Sequence, residues 1–99
     1  MPIISNEIKF DWDAGNSNKS LKKHEVNDEE AEQVFFNPPL VRMRDEKHSQ
    51  REERFLILGK TDEGKHLSIT ITHRDDKVRI ISARPMSRKE REFYANYEK

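Results

Sequence analysis

Two histidines and three arginines are the side chains of this sequence best suited to chemistry at neutral pH. His24 and His48 carry imidazole rings, which exchange a proton near neutral pH more readily than other side chains. Arg54, Arg79 and Arg84 lie in or beside predicted strands, which hold a guanidinium more rigidly than a loop does. A guanidinium binds phosphate through two parallel N–H donors. These residue types therefore indicate proton transfer beside a bound phosphate.

Each of these residues also has an ordinary structural interpretation. A histidine is more often exposed, or hydrogen-bonded within the fold, than catalytic. The arginines have Glu52, Glu53 and Glu90 as partners for surface ion pairs, so both interpretations stay open for them. The sequence has no cysteine and no His-x-x-x-His pair, so the ligand spacings of a structural zinc site are absent. We therefore expect neither a metal nor another cofactor.

The composition predicts one small, heavily charged domain over residues 1–99. That length suits a single core, and eight Ile, five Leu, four Val and five Phe supply little apolar material for it. Charged residues reach 38%, but the 19 basic and 19 acidic side chains cancel. Residues 1–50 hold 7 Lys and Arg against 10 Asp and Glu, whereas residues 51–99 hold 12 against 9. The second half is therefore expected to present a basic surface that phosphate can approach.

The composition also argues against three classes of protein. Without cysteine the chain cannot form a disulfide framework. No apolar run approaches the roughly 18 residues that a membrane span requires. The N-terminus lacks the basic stretch and apolar segment of a signal peptide. We expect a cytoplasmic protein.

The first half of the chain predicts a strand followed by two helices. Residues 8–12 alternate between apolar and polar side chains, as in a half-buried strand. A weakly patterned helix is expected over about residues 16–24. Asn27 and Glu30 have the spacing of a capping box, so a second helix should begin there. Pro38 and Pro39 should end it, because proline lacks the amide donor that a helix needs.

The second half predicts an antiparallel meander and a C-terminal helix. A short strand at residues 40–43 precedes a polar, mobile connector at residues 44–53. Apolar or alternating runs at 55–58, 67–72 and 78–84 are separated by turn residues and indicate three sequential strands. Ser87 and Glu90 form a second capping box, which predicts the start of the last helix.

This order of elements predicts the fold class and the two faces of the sheet. A strand, two helices, three or four antiparallel strands and a final helix indicate an α+β domain with its helices on one face of a curled sheet. In the last strand, strict alternation places Ile80, Ser82 and Arg84 on one face and Lys77 with Arg79 on the other. We therefore expect Arg79 on the polar face.

Several short strings, in the order in which they occur, resemble the BrnT toxins. The pattern D-x-x-H-S-x-x-E-E-R-F begins at Asp45, and the string R-I-I-S-A-R begins at Arg79. Each is short, but the two together in this order are specific. The resemblance covers about residues 8–94 and also includes Phe10-Asp11-Trp12-Asp13, Lys23-His24, and Glu90 with Tyr94.

The resemblance implies a fold, an activity and a partner. BrnT proteins are similar to the RelE toxins, so a small β-α-α unit should precede the meander and the C-terminal helix. Such proteins are ribonucleases of bacterial type II toxin-antitoxin modules and inhibit translation by RNA cleavage, for which we expect no metal. A BrnA-like antitoxin should neutralise the toxin, in a complex of two copies of each chain. Operator DNA should be bound only through that antitoxin.

The resemblance and the chemistry of RNA cleavage assign roles to two groups of residues. Cleavage needs a base for the ribose 2′-OH, cations for the charge on the phosphate, and an acid for the leaving oxygen. Glu53 suits a general base or an orienter of arginine, and Tyr94 suits base stacking or plain packing. The expected catalytic residues are Lys23, His24, His48, Glu53, Arg54, Arg79, Arg84 and Tyr94, and the expected RNA contacts are Lys77, Arg88, Lys89 and Arg91.

The chain departs from the usual pattern of this family at four positions. Asn16 replaces a lysine, Ser20 an asparagine, Glu25 a glycine, and Pro85 a small or basic residue. If Glu25 takes the left-handed conformation that glycine favours, the cost is about 1 kcal/mol. Asn16 removes a cation. Glu25 and Asn16 together support a second hypothesis, a weakened nuclease that survives as an antitoxin-binding co-repressor. A plain nucleic-acid-binding module is a third, which zero net charge disfavours.

Overall fold

The computed structural model describes residues 8–99, in which two helices precede a four-stranded antiparallel sheet and one helix follows it. The strands lie in the order β1-β2-β3-β4, so each pairs with its neighbour in sequence. No helix in this range is long and apolar enough to cross a membrane. The elements are α1 (Lys19–His24), α2 (Asp28–Gln33), β1 (Val41–Arg44), β2 (Arg54–Lys60), β3 (His66–Arg74), β4 (Lys77–Pro85) and α3 (Arg88–Ala95), with 3-10 turns at Val34–Phe36 and Glu46–His48.

Both predicted capping boxes are confirmed. At the start of α2, the Asn27 side chain accepts a hydrogen bond from the Glu30 amide at 2.8 Å, and the Glu30 carboxylate accepts one from the Asn27 amide at 3.1 Å. Ser87 and Glu90 make the same reciprocal pair at the start of α3, at 3.2 and 2.8 Å. Each box satisfies two amide donors that a helix start leaves without partners. The predicted meander is also confirmed.

The helices cover both faces of the sheet, and the prediction that they gather on one face is wrong. On the first face, residues from α2 and its neighbourhood such as Val26, Ala31 and Val34 pack against Ile57 of β2. On the second face, Tyr94 of α3 belongs to a separate buried cluster. The reason lies in β2, whose apolar run presents apolar side chains to both faces and so requires a cover on each. That second cluster contains Val41, Leu58, Met86 and Tyr94.

A β-bulge interrupts the pairing of β3 and β4. Thr70 pairs with Ser82 and Ile71 pairs with Ile80, so Ile81 is an extra residue without a partner in the register. A bulge of this kind shifts the alternation of side chains along the strand that contains it. Residues before and after Ile81 therefore cannot follow one uninterrupted alternating pattern.

The predicted alternation along β4 is wrong for this reason. Ile80 and Ala83 are both buried in the first-face core. Ser82 and Arg84 instead line an open groove together with Leu56, which packs against the second-face cluster. Ile80 therefore does not share a face with Ser82 and Arg84.

The predicted strand at residues 8–12 is reduced to one isolated parallel bridge between Phe10 and Val78. The Asp11 amide donates to the Val78 carbonyl at 2.9 Å, and the Val78 amide donates to the Lys9 carbonyl at 2.8 Å. Beyond this bridge the chain leaves the edge of β4, because Asp13 enters a turn whose carbonyl accepts from the Asn16 amide at 3.1 Å. The prediction of a complete first strand is wrong, and an initial β-α-α unit is not present within residues 8–99.

Two of the four unusual residues bind the outer edge of β4. The buried Asn16 side chain donates to the carbonyls of Asp11 and Ile80, each at 2.9 Å, and accepts from the Asp13 amide at 2.8 Å. The Ser20 hydroxyl accepts from the Ala83 amide at 2.8 Å. Both side chains satisfy backbone groups that an edge strand would otherwise expose. We refer to residues 11–20 and their bonds to β4 as the edge clasp.

Glu25 adopts the left-handed conformation that its position predicts, with φ 58° and ψ 33°. Its amide donates to the Leu21 carbonyl at 3.1 Å, and the Val26 amide donates to the Ser20 carbonyl at 3.3 Å. These bonds close the C-terminal end of α1 in the manner of a glycine cap, although the residue has a side chain. The strain of that backbone is therefore retained in the fold.

Replacing Glu25 by glycine should raise the free energy of unfolding by about 1 kcal/mol, because glycine enters the left-handed region without steric cost. Urea denaturation measures this difference. Lys22→Gly is the matched control: it lies inside α1, where glycine should lower the stability by about 1 kcal/mol. A Glu25→Gly protein that is no more stable than the wild type would contradict the left-handed cap.

Candidate active site

The second face of the sheet contains an open groove of about 660 Å³ beyond the part that α3 covers. One wall is the turn that follows β1, and the floor is formed by side chains of β1 to β4. The volume is in the range of sites that hold small organic ligands. The residues that line the groove are Met43, Arg44, Asp45, Glu46, Lys47, His48, Arg54, Leu56, Thr70, Ile81, Ser82 and Arg84.

The turn after β1 is held by hydrogen bonds to the backbone of Arg54, the first residue of β2. The Asp45 amide donates to the Arg54 carbonyl at 2.8 Å, and the Arg54 amide donates to the Ser49 hydroxyl at 3.0 Å. The same hydroxyl donates to the Asp45 carbonyl at 2.6 Å. The segment predicted as an irregular connector therefore contains an organised 3-10 turn, Glu46–His48, which places His48 at the groove.

His48 forms a pair with Asp45, three residues earlier. The Nδ1 atom of His48 lies 2.9 Å from Oδ2 of Asp45. A carboxylate in this position favours the tautomer with a proton on Nδ1, which leaves a lone pair on Nε2. Nε2 makes no hydrogen bond with any residue of the range 8–99, and the His48 side chain is 61% exposed. This arrangement suits an exchange of protons with a bound ligand.

The sequence patterns did not indicate the contact of Asp45 with His48, although Asp45 begins the string D-x-x-H-S-x-x-E-E-R-F. The available signal was the i, i+3 spacing of Asp45 and His48, which brings two side chains together in a single helical turn. The polar composition of residues 44–53 predicts a mobile connector, in which two side chains three residues apart have no fixed separation.

Arg54 has free hydrogen-bonding capacity at the groove. Its Nη2 atom lies 3.5 Å from a carboxylate oxygen of Glu52, which is a weak contact. Its Nε atom is buried and has no hydrogen-bond partner among the described residues. The side chain as a whole is 33% exposed and lines the groove, so its terminal N–H groups can donate to an acceptor bound there.

Arg84 is held in the groove wall by Glu90. Its Nη1 and Nη2 atoms donate to the two carboxylate oxygens at 2.8 and 2.9 Å. The same carboxylate accepts from the Ser87 amide at 2.8 Å and from the Ser68 hydroxyl at 3.3 Å. The Arg84 guanidinium lowers the pKa of the Glu90 carboxyl, and Glu90 raises the pKa of Arg84. One carboxylate therefore both caps α3 and aligns an arginine of the groove.

The other cations of the groove differ in their pairing. Arg44 donates to Glu46 at 2.7 Å and to Glu53 at 3.2 Å, and its pKa is raised chiefly by Glu46. Glu53 is exposed and does not line the groove, so it reaches the site only through Arg44. Lys47 lines the groove without an ion pair to any described residue. The groove therefore contains free cationic capacity at Lys47 and Arg54.

Arg79 lies outside the groove, at the outer edge of β4. Its guanidinium binds both carboxylate oxygens of Asp13, at 3.0 and 3.1 Å, and lies 3.5 Å from Asp11. Its side chain is 11% exposed, because the edge clasp covers it. Arg79 lowers the pKa of the Asp13 carboxyl, and its own pKa is raised in return. Of the two interpretations of Arg79, a phosphate contact or an ion pair, the structure contains the ion pair, with Asp13 as the partner.

Three more of the expected catalytic residues do not line the groove. Lys23 and His24 are exposed on α1, which packs against β4. Tyr94 is fully buried, and its hydroxyl donates to the Pro39 carbonyl at 2.6 Å. Burial raises the pKa of the Tyr94 hydroxyl. The structure thus brings His48, Arg54 and Arg84 together in one groove.

The expected RNA contacts lie on two separate elements, the start of β4 and the helix α3. Lys77 is exposed at the start of β4, beside the hairpin turn. Arg88, Lys89 and Arg91 are exposed on α3, and Arg88 lies 3.6 Å from Glu92. None of the four lines the groove, but α3 adjoins its wall through the Arg84–Glu90 pair. Within residues 8–99, no group of three or more His, Asp or Glu side chains has the arrangement of a metal site.

A family model matches most of the chain. Residues 12–90 match the family model described as "Ribonuclease toxin, BrnT, of type II toxin-antitoxin system". The matched range contains every residue that lines the groove. No curated protein matches the chain.

The Arg84–Glu90 pair should make the stability depend on pH. Because the folded Glu90 carboxyl has a pKa below its ordinary value of 4.5, its ionised form favours folding above pH 4.5. That contribution should fall as the pH drops below 4.5 and passes the lower folded pKa. Glu90→Gln should cost about 1 kcal/mol at pH 7, since Arg84 is partly exposed and solvent screens the pair.

Thermal melting of the wild type and of Glu90→Gln between pH 7 and pH 3 measures this effect. The difference in Tm should shrink steadily below pH 4.5. Glu92→Gln is the matched control on the same helix, because Glu92 is exposed and lies 3.6 Å from its partner. A Tm difference for Glu90→Gln that stays constant across this range would show that the carboxylate charge does not stabilise the fold.

Proposed function

The chain belongs to the BrnT family of ribonuclease toxins of type II toxin-antitoxin systems, and from that premise we propose that its groove is the site of RNA cleavage. The matched range covers most of the chain, and a toxin of this type has an antitoxin partner. We further propose that the cleavage needs no metal ion and that it inhibits translation by destroying messenger RNA. The site residues, the partner's identity and the chemistry below are parts of the same proposal.

The observation that supports this site best is the His48–Asp45 pair, which lines the same groove as the weakly paired guanidinium of Arg54. The Nε2 atom of His48 would take the proton of a ribose 2′-OH, while Asp45 accepts the Nδ1–H bond and stabilises the imidazolium that forms. The 2′-oxygen would then bond to the adjacent phosphorus. The P–O5′ bond would break, and the leaving 5′-oxygen would gain a proton from solvent or from the imidazolium. One product would end in a 2′,3′-cyclic phosphate and the other in a 5′-hydroxyl.

The arginines would supply the positive charge that this reaction requires. Negative charge increases on the phosphate oxygens as the 2′-oxygen attacks, and fixed N–H donors stabilise it without having to reorganise. Arg54 is only weakly paired and partly exposed, and Arg84 is already aligned by its two bonds to Glu90. Lys47 adds a third cation at the rim. Charge that a metal ion would otherwise supply is therefore available from side chains.

The remaining expected residues receive indirect roles in this proposal. Glu53 orients Arg44. Arg79 holds the edge clasp on β4, and Tyr94 fixes α3 to the segment before β1. Lys23 and His24 lie on a different element, away from the reacting groups. Arg88, Lys89, Arg91 and Lys77 would attract the RNA backbone from outside the groove, in a manner that salt should weaken.

Substituting His48 by alanine should lower the single-turnover rate of RNA cleavage about 100-fold or more, since general acid–base catalysis typically contributes that much. Arg54→Lys should also cleave poorly, because an ammonium does not reproduce the two-pronged guanidinium contact. His24→Ala is the matched control, an exposed histidine outside the groove, and should keep the wild-type rate.

Thermal melting should show that all three variants are folded. Chelation of divalent ions should leave the wild-type rate unchanged, and the products should carry 2′,3′-cyclic phosphate ends. A fast His48→Ala variant, a requirement for magnesium, or 3′-hydroxyl ends would contradict the proposed chemistry.

A second candidate function is an antitoxin-binding co-repressor with little nuclease activity. One observation favours it: Arg44 and Arg84 are paired with the protein's own carboxylates, which reduces the charge left for RNA. Asn16, which suggested a weakened site, gives less support, because it lies in the edge clasp rather than in the groove. The cleavage assay separates the two functions, since the co-repressor should bind its antitoxin and leave RNA intact.

The partner should be an acidic, BrnA-like antitoxin, in a complex of two copies of each chain. Several large apolar side chains remain exposed and would be covered by a partner, namely Leu21, Phe36, Leu40, Phe93 and Tyr97. Gel filtration with light scattering on the co-expressed chains should give the mass of a heterotetramer. Mobility shifts with operator DNA should appear for the complex but not for the toxin alone. Separate elution of the two chains would reject the partner.

A further inference from the structure

We propose that the floor of the groove, formed by Met43, Leu56, Thr70, Ile81 and Ser82, binds one unpaired nucleobase of the substrate. This inference rests on the proposed function and deepens it, because it specifies single-stranded RNA as the substrate class. The base would lie beside the phosphate that Arg54 and His48 engage.

The chemistry of the floor matches the two surfaces of a nucleobase. Met43, Leu56 and Ile81 provide apolar area for the flat face of a base. The hydroxyls of Thr70 and Ser82 can donate to or accept from its polar edge. Neither hydroxyl makes a hydrogen bond with any residue in the described part of the chain. Both are therefore available to a ligand.

The positions of the two hydroxyls favour recognition of one edge. Thr70 and Ser82 are direct partners in the register of β3 and β4. Side chains in such pairs have their Cβ atoms about 5 Å apart on the same face of a sheet. Two adjacent polar groups can contact neighbouring atoms on the edge of one base, which a single hydroxyl cannot do. The pair would therefore discriminate among bases rather than bind any base equally.

The bulge at Ile81 directs two neighbouring side chains into the floor of the groove. In a regular strand Ile81 and Ser82 would point to opposite faces, and one of them would enter the first-face core. Because Ile81 is the extra residue of the bulge, both side chains line the groove. Bulges are known to redirect side chains beside functional sites at the cost of local pairing. The bulge therefore contributes two adjacent side chains, Ile81 and Ser82, to the proposed binding surface.

The flanking cations place the floor beside the reacting phosphate. Arg54 and Leu56 are two residues apart on β2, and Ser82 and Arg84 are two residues apart on β4. Residues separated by two lie on the same face of a strand. The apolar floor thus lies between two guanidinium groups, as a base lies between successive phosphates. A base in a duplex is stacked and paired, so it could not reach this floor without being extruded.

The binding arm of the test uses the inactive His48→Ala protein and a short oligoribonucleotide that contains 2-aminopurine, a base whose fluorescence changes when it leaves its neighbours. Titration of the single strand should change the fluorescence, and the same strand in a duplex should not respond. Ile81→Ala, added to His48→Ala, should weaken binding about tenfold because it removes apolar contact. Leu21→Ala, an exposed leucine of α1, is the matched control and should bind normally.

The cleavage arm uses an RNA library and sequences the cut ends. Thr70→Val and Ser82→Ala keep the side-chain shape but remove the hydroxyl, so each should change the preference for one base beside the cut about three- to tenfold. Melting temperatures verify that the variants are folded. An unchanged preference in both variants, or equal binding of single strand and duplex, would overturn the subsite. Floor-dependent binding by a protein that cuts no RNA would instead reject the proposed function and retain the subsite.

Discussion

The sheet of this protein depends on one constraint, which is that its second strand is apolar on both faces. Ile57 faces one layer of helices, whereas Leu56 and Leu58 face the opposite side. A sheet of this kind needs a cover on each face, and within residues 8–99 only short helices provide it. The short helix α3 covers one end of the second face. The part that it leaves open is the groove, so the site follows from an incomplete cover.

The charges of the groove show how a protein of zero net charge can still present several cationic side chains in one place. Two of its arginines are paired with carboxylates, and one carboxylate, Glu90, is shared between an arginine and a helix cap. Such pairing stabilises little at an exposed surface, but it fixes the direction of a guanidinium. Arg54 is paired only weakly, with Glu52 at 3.5 Å, and Lys47 has no ion pair with a described residue. Net charge is therefore a poor guide to what this surface can bind.

Local patterns in the sequence predicted most of the elements but not their arrangement. The capping boxes at Asn27 and Ser87 and the order of the meander depend on neighbouring residues, and these predictions are confirmed. The bulge at Ile81 was not predicted, because the sequence around it is apolar or small and suits either register. The pairing of Asp45 with His48 and the covering of Arg79 depend on how a loop and the N-terminal segment fold back. Contacts of this kind produce no periodic pattern in the sequence from which they could be predicted.

The edge clasp also bears on the order in which the molecule assembles. It joins Asn16 to Ile80 and Ser20 to Ala83, which are 64 and 63 positions apart. The strands, in contrast, pair with neighbours in sequence, so their loops are short and their closure loses little entropy. The meander can therefore form first and the clasp last. All residues of the groove lie between positions 43 and 84. During synthesis, the edge clasp can therefore form only after β4 has left the ribosome, because its hydrogen bonds are made to Ile80 and Ala83.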